Sequence, residues 1–96
     1  MIYEYLKQRR AYGVNHAVPG KTIRHDLGYT ARRFDAALYR ERRAGHLICN
    51  KSKAGGGYYL PACVEDVREF VRQQEGRIKK HAVTLRAARA FLKRYR

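Results

Sequence analysis

Arginine is concentrated in one short segment of the chain, residues 30–44, and lysine follows in the glycine-rich segment 50–57. The first segment has only two acidic residues, Asp35 and Glu41, against five arginines: Arg32, Arg33, Arg40, Arg42 and Arg43. A guanidinium group presents a planar fork of N–H donors, which binds a phosphate or the O6 and N7 atoms of guanine through two hydrogen bonds. A hydrated helix normally mixes charges of both signs, so this excess favours a surface that meets phosphates and base edges.

The arginine-rich segment predicts a helix with one apolar face. The hydroxyl of Thr30 can cap its start, and Gly45 can end it. At about 100° per residue, three apolar residues should face the core, with Glu41 on the same side: Phe34, Ala37 and Leu38. The opposite side is a basic ridge with a small residue in its middle: Arg32, Ala36, Tyr39 and Arg43, flanked by Arg33 and Arg40.

Two further helices are predicted before this one. Residues 2–10 place apolar side chains on one helical stripe, and residues 14–18 predict a short extended piece. Pro19 suits the first turn of a helix over residues 19–27, because its missing N–H would have no partner there. Gly28 can terminate that helix in the left-handed conformation.

A hairpin is predicted after the basic helix. The sequences "LIC" and "YYL" predict two strands, and the tip between them contains Lys51 and Lys53 among glycines that permit the turn. In the returning strand, Leu60 and one of the two tyrosines, Tyr58 or Tyr59, should belong to the core.

Composition limits the class of protein and of partner. The chain has 96 residues, with 22 Lys and Arg against 8 Asp and Glu and a formal net charge of +14. This predicts one small domain with an added element and a polyanionic partner. Nucleic acid is the first candidate, an anionic membrane the second and an acidic protein the third. No apolar run approaches the roughly 20 residues of a membrane span, and the N-terminus lacks a signal-peptide core, so we expect a cytoplasmic protein.

No group of residues indicates catalysis or metal binding. The sequence has no Ser/His/Asp or Cys/His grouping and no phosphate-binding glycine fingerprint, so we expect neither an enzyme nor a small-molecule substrate. The histidines are too scattered for a zinc site: His16, His25, His46 and His81. We therefore expect no metal and no other cofactor. Cys49 has the surroundings of a small buried apolar residue, and free thiols are favoured over a disulfide between Cys49 and Cys63.

Residues 62–96 predict one long helix, weakened at Gly76. A stripe at alternating three- and four-residue steps runs through more than four heptads: Val64, Val67, Val71, Gln74, Ile78, His81, Leu85, Ala88, Leu92 and Tyr95. A helix of about 32 residues is about 48 Å long, more than a small domain can cover. We therefore expect self-association through one row of this stripe: Val71, Ile78, Leu85 and Leu92. The alternative is that residues 64–75 pack on the domain and the remainder is loosely ordered.

Charge divides this long segment into two parts. Its four acidic residues all precede Gly76, whereas residues 76–96 contain eight Lys or Arg and no acid. Such an end can bind nucleic acid or lie on an anionic membrane, and the first is favoured.

The order of elements in residues 1–61 resembles that of a winged helix-turn-helix domain: helix, short strand, helix, glycine-containing turn, basic helix and two-stranded wing. The resemblance is carried by "GKTIRHDLGYTARRFDAAL", Gly45 and "HLICNKSKAGGGYYLP". More narrowly, the chain is similar to small winged-helix proteins of phage and prophage regions. The resemblance implies an α+β fold of three helices and a β-hairpin wing, followed by the long helix of residues 62–96.

One position departs from the pattern of that family. Its members usually carry a large apolar residue about one turn before the terminating glycine, where this chain has Glu41. Either Arg42 and Ala44 lie differently from the expected arrangement, or that end of the helix packs loosely.

The resemblance also implies roles in binding double-stranded DNA. In the family, the third helix enters the major groove with its N-terminal half nearest the bases. The matching positions for contacts with base edges are Thr30, Arg32, Arg33 and Ala36. Those expected on the phosphate backbone are Lys21, Tyr39, Arg40 and Arg43, together with Lys51 and Lys53 at the wing.

These expectations combine into a sequence-selective DNA-binding protein, a phage-type transcription regulator, with residues 30–44 in the major groove and the wing 50–57 on the backbone. A homodimer through the C-terminal helix is expected. Three alternatives stay open: a phage DNA-replication or recombination accessory factor, a binder of structured RNA, and a winged-helix module for an acidic protein partner.

Overall fold

The computed structural model describes residues 1–51 and 56–94 and shows an α+β fold. It contains four α-helices, one turn of 3₁₀-helix and a two-stranded antiparallel sheet. In chain order these are α1 (Ile2–Gln8), the 3₁₀ turn (Val14–His16), α2 (Gly20–Leu27), α3 (Ala31–Arg43), β1 (Cys49–Asn50), β2 (Tyr58–Tyr59) and α4 (Val64–Arg94).

The ends of α2 and α3 follow the local signals of the sequence. Gly28 adopts φ 68°, a left-handed conformation that closes α2. The Oγ1 atom of Thr30 accepts a hydrogen bond from the backbone N–H of Arg33 at 3.2 Å and so caps α3. The helix α3 ends just before Gly45, whose φ is 103°. Both predicted helices are confirmed, with Gly28, Thr30 and Gly45 at the ends where they were expected. Pro19, expected in the first turn of α2, instead precedes the helix as its N-cap residue.

The predicted extended piece at residues 14–18 is wrong over most of its length. Val14–His16 form the 3₁₀ turn, closed by a hydrogen bond from the N–H of His16 to the carbonyl of Gly13 at 3.1 Å. After the turn, Ala17 has an extended backbone, and Val18 exchanges hydrogen bonds of 2.9 and 2.8 Å with Tyr58. Three residues wound into a turn shorten this segment, and Val18 at its end makes the hydrogen bonds to the hairpin.

The hairpin is held close to the start of α2. Cys49 pairs with Tyr59, and Asn50 pairs with Tyr58. At Gly57, a Cβ atom would lie 2.5 Å from the carbonyl oxygen of Val18, so only glycine fits this approach of two backbones. The hairpin and the segment that leads into α2 are therefore one packed unit.

One core joins the first three helices to the hairpin. It includes the three residues predicted from α3, which confirms that side of the helix: Phe34, Ala37 and Leu38. Tyr59 is buried, whereas Tyr58 is half-buried and meets the ring of Phe34 edge-on with centroids 5.1 Å apart. Leu60 is buried as predicted, and each tyrosine packs on a different side of the hairpin.

Glu41 binds the start of α1. Its Oε2 and Oε1 atoms accept hydrogen bonds from the backbone N–H groups of Ile2 and Tyr3 at 2.9 and 2.8 Å. The first N–H groups of a helix have no partner inside the helix, and a carboxylate there also offsets the positive end of the helix dipole. The end of α3 is consequently not loosely packed, because a carboxylate fills the place where an apolar residue was expected.

The helix α4 continues through Gly76 without interruption. Its contact with the rest of the chain is near its start, where Phe70 packs on Cys49 and Tyr59. Gln73 donates a hydrogen bond from Nε2 to the carbonyl of Asn50 at 3.0 Å. Phe70 lies off the predicted stripe of alternating three- and four-residue steps, so the stripe does not identify the residue that anchors the helix.

Candidate nucleic-acid interface

The outer face of α3 is exposed along its whole length. The predicted base-reading residues of this face all lie in solvent, together with the residues predicted to hold phosphates: Thr30, Arg32, Arg33, Ala36, Tyr39, Arg40 and Arg43. The side chain of Tyr39 is 66% exposed, which is unusual for so large a ring and leaves its hydroxyl free of the core. The ridge residues and the two arginines that flank them therefore share one exposed side of the helix, as its periodicity predicts, and Thr30 is exposed at the start of the helix.

Among the described residues, no carboxylate forms an ion pair with the arginines of this face. The guanidinium of Arg33 lies 5.4 Å from the ring centroid of Tyr29, a cation–π contact that leaves its N–H donors available. The hydroxyl oxygen of Thr30 already accepts the capping hydrogen bond, so towards a ligand this group can still donate its own hydrogen.

Arg42 is the exception among the arginines of α3, because it faces inwards. Its Nε and Nη2 atoms donate to the carbonyl of Ile48 at 3.0 and 2.6 Å, and Nη2 also donates to Oδ1 of Asn50 at 3.2 Å. The guanidinium lies 5.4 Å from the ring centroid of Phe70. One side chain thus joins the end of α3 to β1 and to α4.

The environment of Arg42 has an electrostatic cost. Burial lowers the pKa of its guanidinium, and the charge of Arg77 on α4 lowers it further. An arginine nevertheless stays charged in a protein, so the hydrogen bonds to the carbonyl of Ile48 and to Asn50 must offset the lost hydration. The prediction from sequence included Arg42 among the basic residues of this helix, because no local signal distinguishes it from its exposed neighbours.

Two of the lysines predicted to hold the backbone are exposed, one on α2 and one next to β1. Lys21 is exposed in the first turn of α2. The residue before it, Gly20, packs closely on the hairpin, because a Cβ atom added to Gly20 would lie 3.1 Å from Cε1 of Tyr58. Lys51 is exposed, and its N–H donates to the carbonyl of Gly57 at 3.1 Å, which closes the hairpin. Lys53, predicted for the wing tip, lies outside the described residues.

The row predicted for self-association is exposed beyond the contact made by Phe70. The exposed fractions are 45% for Val71, 67% for Ile78, 51% for Leu85 and 66% for Leu92. Val67 and Gln74, on the adjacent row, are half-buried against the domain. The side of α4 that packs on the hairpin therefore continues past the domain as an apolar row that nothing in the described chain covers.

Residues 1–51 and 56–94 include neither a metal-binding group nor a membrane-spanning helix. They contain no group of three or more His, Cys, Asp or Glu with the proximity to hold a metal ion. None of their helices has both the length and the apolarity to cross a membrane. Cys49 is buried and Cys63 is exposed, and both are free thiols.

The exposed basic face of α3 is thus the surface with the most distinctive chemistry. It carries unneutralised arginines on a well-anchored helix, next to a hairpin that presents a further cation at Lys51. Protein-family models, characterised proteins and solved structures contain no match to the chain. The chemistry of these exposed side chains is accordingly the basis on which a function can be assigned.

Proposed function

We propose that the chain binds double-stranded DNA selectively, as a winged-helix protein with α3 in the major groove and the hairpin of residues 50–57 against the backbone. The observation that carries this proposal is the exposed face of α3, whose arginines have no carboxylate partner among the described residues. Charges that the chain leaves unneutralised attract a polyanion, and the release of its counterions drives binding. Ala36, small and exposed between them, lets the helix approach base edges closely.

The connections of α3 support this geometry. Only residues 28–30 separate α2 from α3, a short turn containing glycine of the kind found in helix-turn-helix motifs. Val18, just before α2, is hydrogen-bonded to Tyr58 of the hairpin. Because α2, α3 and the hairpin are packed together, phosphate contacts from Lys21 and Lys51 would fix the position of α3 in a groove.

The biological role we propose is that of a phage-type transcription regulator acting in the cytoplasm, on the resemblance of "ICNKSKAGGGYYL" and the basic helix to such proteins. The same surface would serve a replication or recombination accessory factor. Structured RNA and an acidic protein are the other candidate partners, and competition between duplex DNA and duplex RNA of one sequence separates them.

Selection of bound sequences from a random duplex pool provides the preferred site on which the proposal is tested. Arg32→Ala or Arg33→Ala should then weaken binding to that site by about 1–3 kcal/mol and relax the preference at one base position. Lys51→Ala should weaken binding to all sequences about equally, because phosphate contacts carry no sequence information. If the two arginine variants lost affinity equally on every sequence, the assignment of α3 to the major groove would be wrong.

Salt dependence tests the phosphate contacts independently. If roughly 6–10 phosphates are neutralised, affinity should fall by about 10³–10⁵-fold between about 50 and 200 mM salt. A nearly flat response would count against nucleic acid and favour a protein partner.

The proposal includes a homodimer through α4, with a second copy of the chain covering the apolar row. Ile78, Leu85 and Leu92 are each more than half exposed and recur at seven-residue steps, the repeat of a coiled coil. A symmetric pair of DNA-binding domains would favour an inverted repeat with half-sites about one helical turn apart. Repulsion between the basic ends should make association stronger as salt rises, the opposite of DNA binding.

Sedimentation of the protein at moderate salt tests the dimer. A concentration of about 100 µM is suitable, because it detects an association free energy of about 5 kcal/mol. Ile78→Asp combined with Leu85→Asp should give a folded monomer that binds a single half-site more weakly. A single monomeric species for the unmutated protein would remove the dimer from the proposal and leave the DNA-binding assignment standing.

A further inference from the structure

The part of α4 beyond Gly76 carries a second concentration of unneutralised positive charge. Residues 77–94 contain seven Lys or Arg and no acid, and each of these residues is exposed. In the first part of the same helix, Arg68 and Arg72 form ion pairs with Glu65 and Glu69, three residues earlier. The helix thus has a charge-balanced part near the domain and an unbalanced part beyond it.

Three of the distal charges form a row. Lys79, Arg86 and Lys93 recur at seven-residue steps, and each directly follows a residue of the apolar row. Seven residues return to nearly the same side of a helix, drifting by only about 20°. At about 1.5 Å per residue the row is about 21 Å long. Each strand of a DNA duplex carries one phosphate charge per about 3.4 Å of the axis, so the row spans the rise of about six phosphates on one strand.

The row is connected to the face of α3 through contacts near the start of α4. Phe70 packs on the hairpin, and Gln73 donates to the carbonyl of Asn50 at 3.0 Å. Arg42 of α3 lies over the ring of Phe70. The helix then continues without a break to Arg94, so the two basic surfaces are parts of one connected structure.

We propose that residues 77–94 form a second phosphate-binding surface, which contacts the backbone of the same duplex outside the segment read by α3. This inference rests on the proposed function. A lipid surface fits the distal helix less well, because a helix that lies on a membrane needs a wide apolar face. Here the exposed large apolar residues do not share one wide face. Ile78, Leu85 and Leu92 form a row, but Val83 lies on the opposite side of the helix and Phe91 lies about 100° from Leu92. Arg77 and Arg89 lie beside the row and interrupt its apolar surface.

The expected effect follows from the number of phosphates neutralised. Each contact contributes about 0.9 to the slope of log affinity against log salt, so three contacts contribute about 2.7. At about 150 mM salt, the loss of three such contacts lowers affinity by about 10²-fold. The effect requires a duplex long enough to extend beyond the α3 footprint.

The experiment compares two variants on two duplexes. The test variant is Lys79→Gln/Arg86→Gln/Lys93→Gln, and the matched control removes three arginines that already pair with carboxylates, Arg9→Gln/Arg68→Gln/Arg72→Gln. One duplex of about 12 base pairs holds a single half-site of the selected sequence, and the other extends that half-site to about 30 base pairs. Far-ultraviolet circular dichroism verifies that both variants keep their helix content.

We expect the test variant to lose about 2.7 in salt slope on the long duplex and almost nothing on the short one. The control should resemble the unmutated protein on both. Equal salt slopes for the unmutated protein and the test variant on the long duplex, with binding intact, would overturn the second surface and leave the proposed function standing. Equal losses on both duplexes would also overturn it, since the row would then lie inside the α3 footprint.

Two further outcomes separate this inference from the proposed function and from a membrane role. Failure of the unmutated protein to bind either duplex would contradict the proposed function itself. Binding to vesicles of phosphatidylcholine and phosphatidylserine that the test variant loses, with DNA binding unchanged, would assign the row to lipid and overturn the inference.

Discussion

Replacement of Glu41 by alanine should destabilise the fold through the start of α1. The carboxylate accepts the N–H groups of Ile2 and Tyr3 at 2.9 and 2.8 Å, and Ile2 is fully buried. A hydrogen bond to a charged group contributes about 1.5–3 kcal/mol, and loss of a helix cap costs about 0.5–2 kcal/mol. The Glu41 side chain is 17% exposed, so water can replace part of what is lost. We therefore expect Glu41→Ala to lower the free energy of unfolding by about 2 kcal/mol.

Thermal and urea denaturation of Glu41→Ala and two further variants test whether the loss of stability comes from the hydrogen bonds of Glu41. For a domain of this size, about 2 kcal/mol corresponds to a fall of about 8–16 °C in Tm. Glu41→Gln keeps one acceptor and should lose about half as much. Asp35→Ala removes an exposed carboxylate from the same helix and should stay within about 0.5 kcal/mol of the unmutated protein. If Glu41→Ala were as stable as Asp35→Ala, the hydrogen bonds to α1 would not be what holds this end of α3.

Other expected outcomes concern the contacts around the hairpin. Arg42→Gln leaves the carbonyl of Ile48 without its guanidinium and should cost about 1.5–3 kcal/mol in urea denaturation; a variant of unchanged stability would contradict the bridging role. Phe70→Ala should lower the free energy of unfolding by about 3 kcal/mol and speed amide hydrogen exchange throughout α4. Slow exchange in this variant would show that another residue anchors the helix. Cys63 should react with a thiol reagent at about pH 8, and Cys49 only after unfolding. Burial raises the pKa of Cys49 from 9.0 to about 11, so its contribution to the free energy of unfolding is complete below pH 9.0 and lost as pH rises towards 11. Cys49→Ala should remove this part of the fall in stability at alkaline pH. Equal dependence of stability on pH in the variant and the unmutated protein would refute the role of Cys49.

The parts of the fold that depend on local signals were predictable. Thr30 and Gly28 mark the ends of helices because a cap and a left-handed residue act within three or four positions of themselves. The buried side of α3, with Phe34 and Leu38, follows from helical periodicity in the same way. The exposed basic face is the complement of that side, so the periodicity also predicts its exposure.

The parts that depend on distant partners were not predictable. Glu41 has its hydrogen-bond partners 38 and 39 residues earlier in the sequence, and nothing near it indicates them. Arg42 differs from Arg43 only because the carbonyl of Ile48 comes within reach after the chain turns. The heptad pattern of α4 predicts the apolar row that continues past the domain, but it does not indicate that Phe70 anchors the helix.

The side chains of Phe70 and Gln73 hold α4 near one end, and this gives the helix the mechanical properties of a lever. Residues 74–94 follow that contact, which is about 32 Å of helix at about 1.5 Å per residue. A tilt of about 10° at the contact therefore moves the far end by about 5 Å, close to one helical pitch. Small changes in side-chain packing around Phe70 would thus be amplified into displacements large enough to change the distance between the two domains of the proposed dimer.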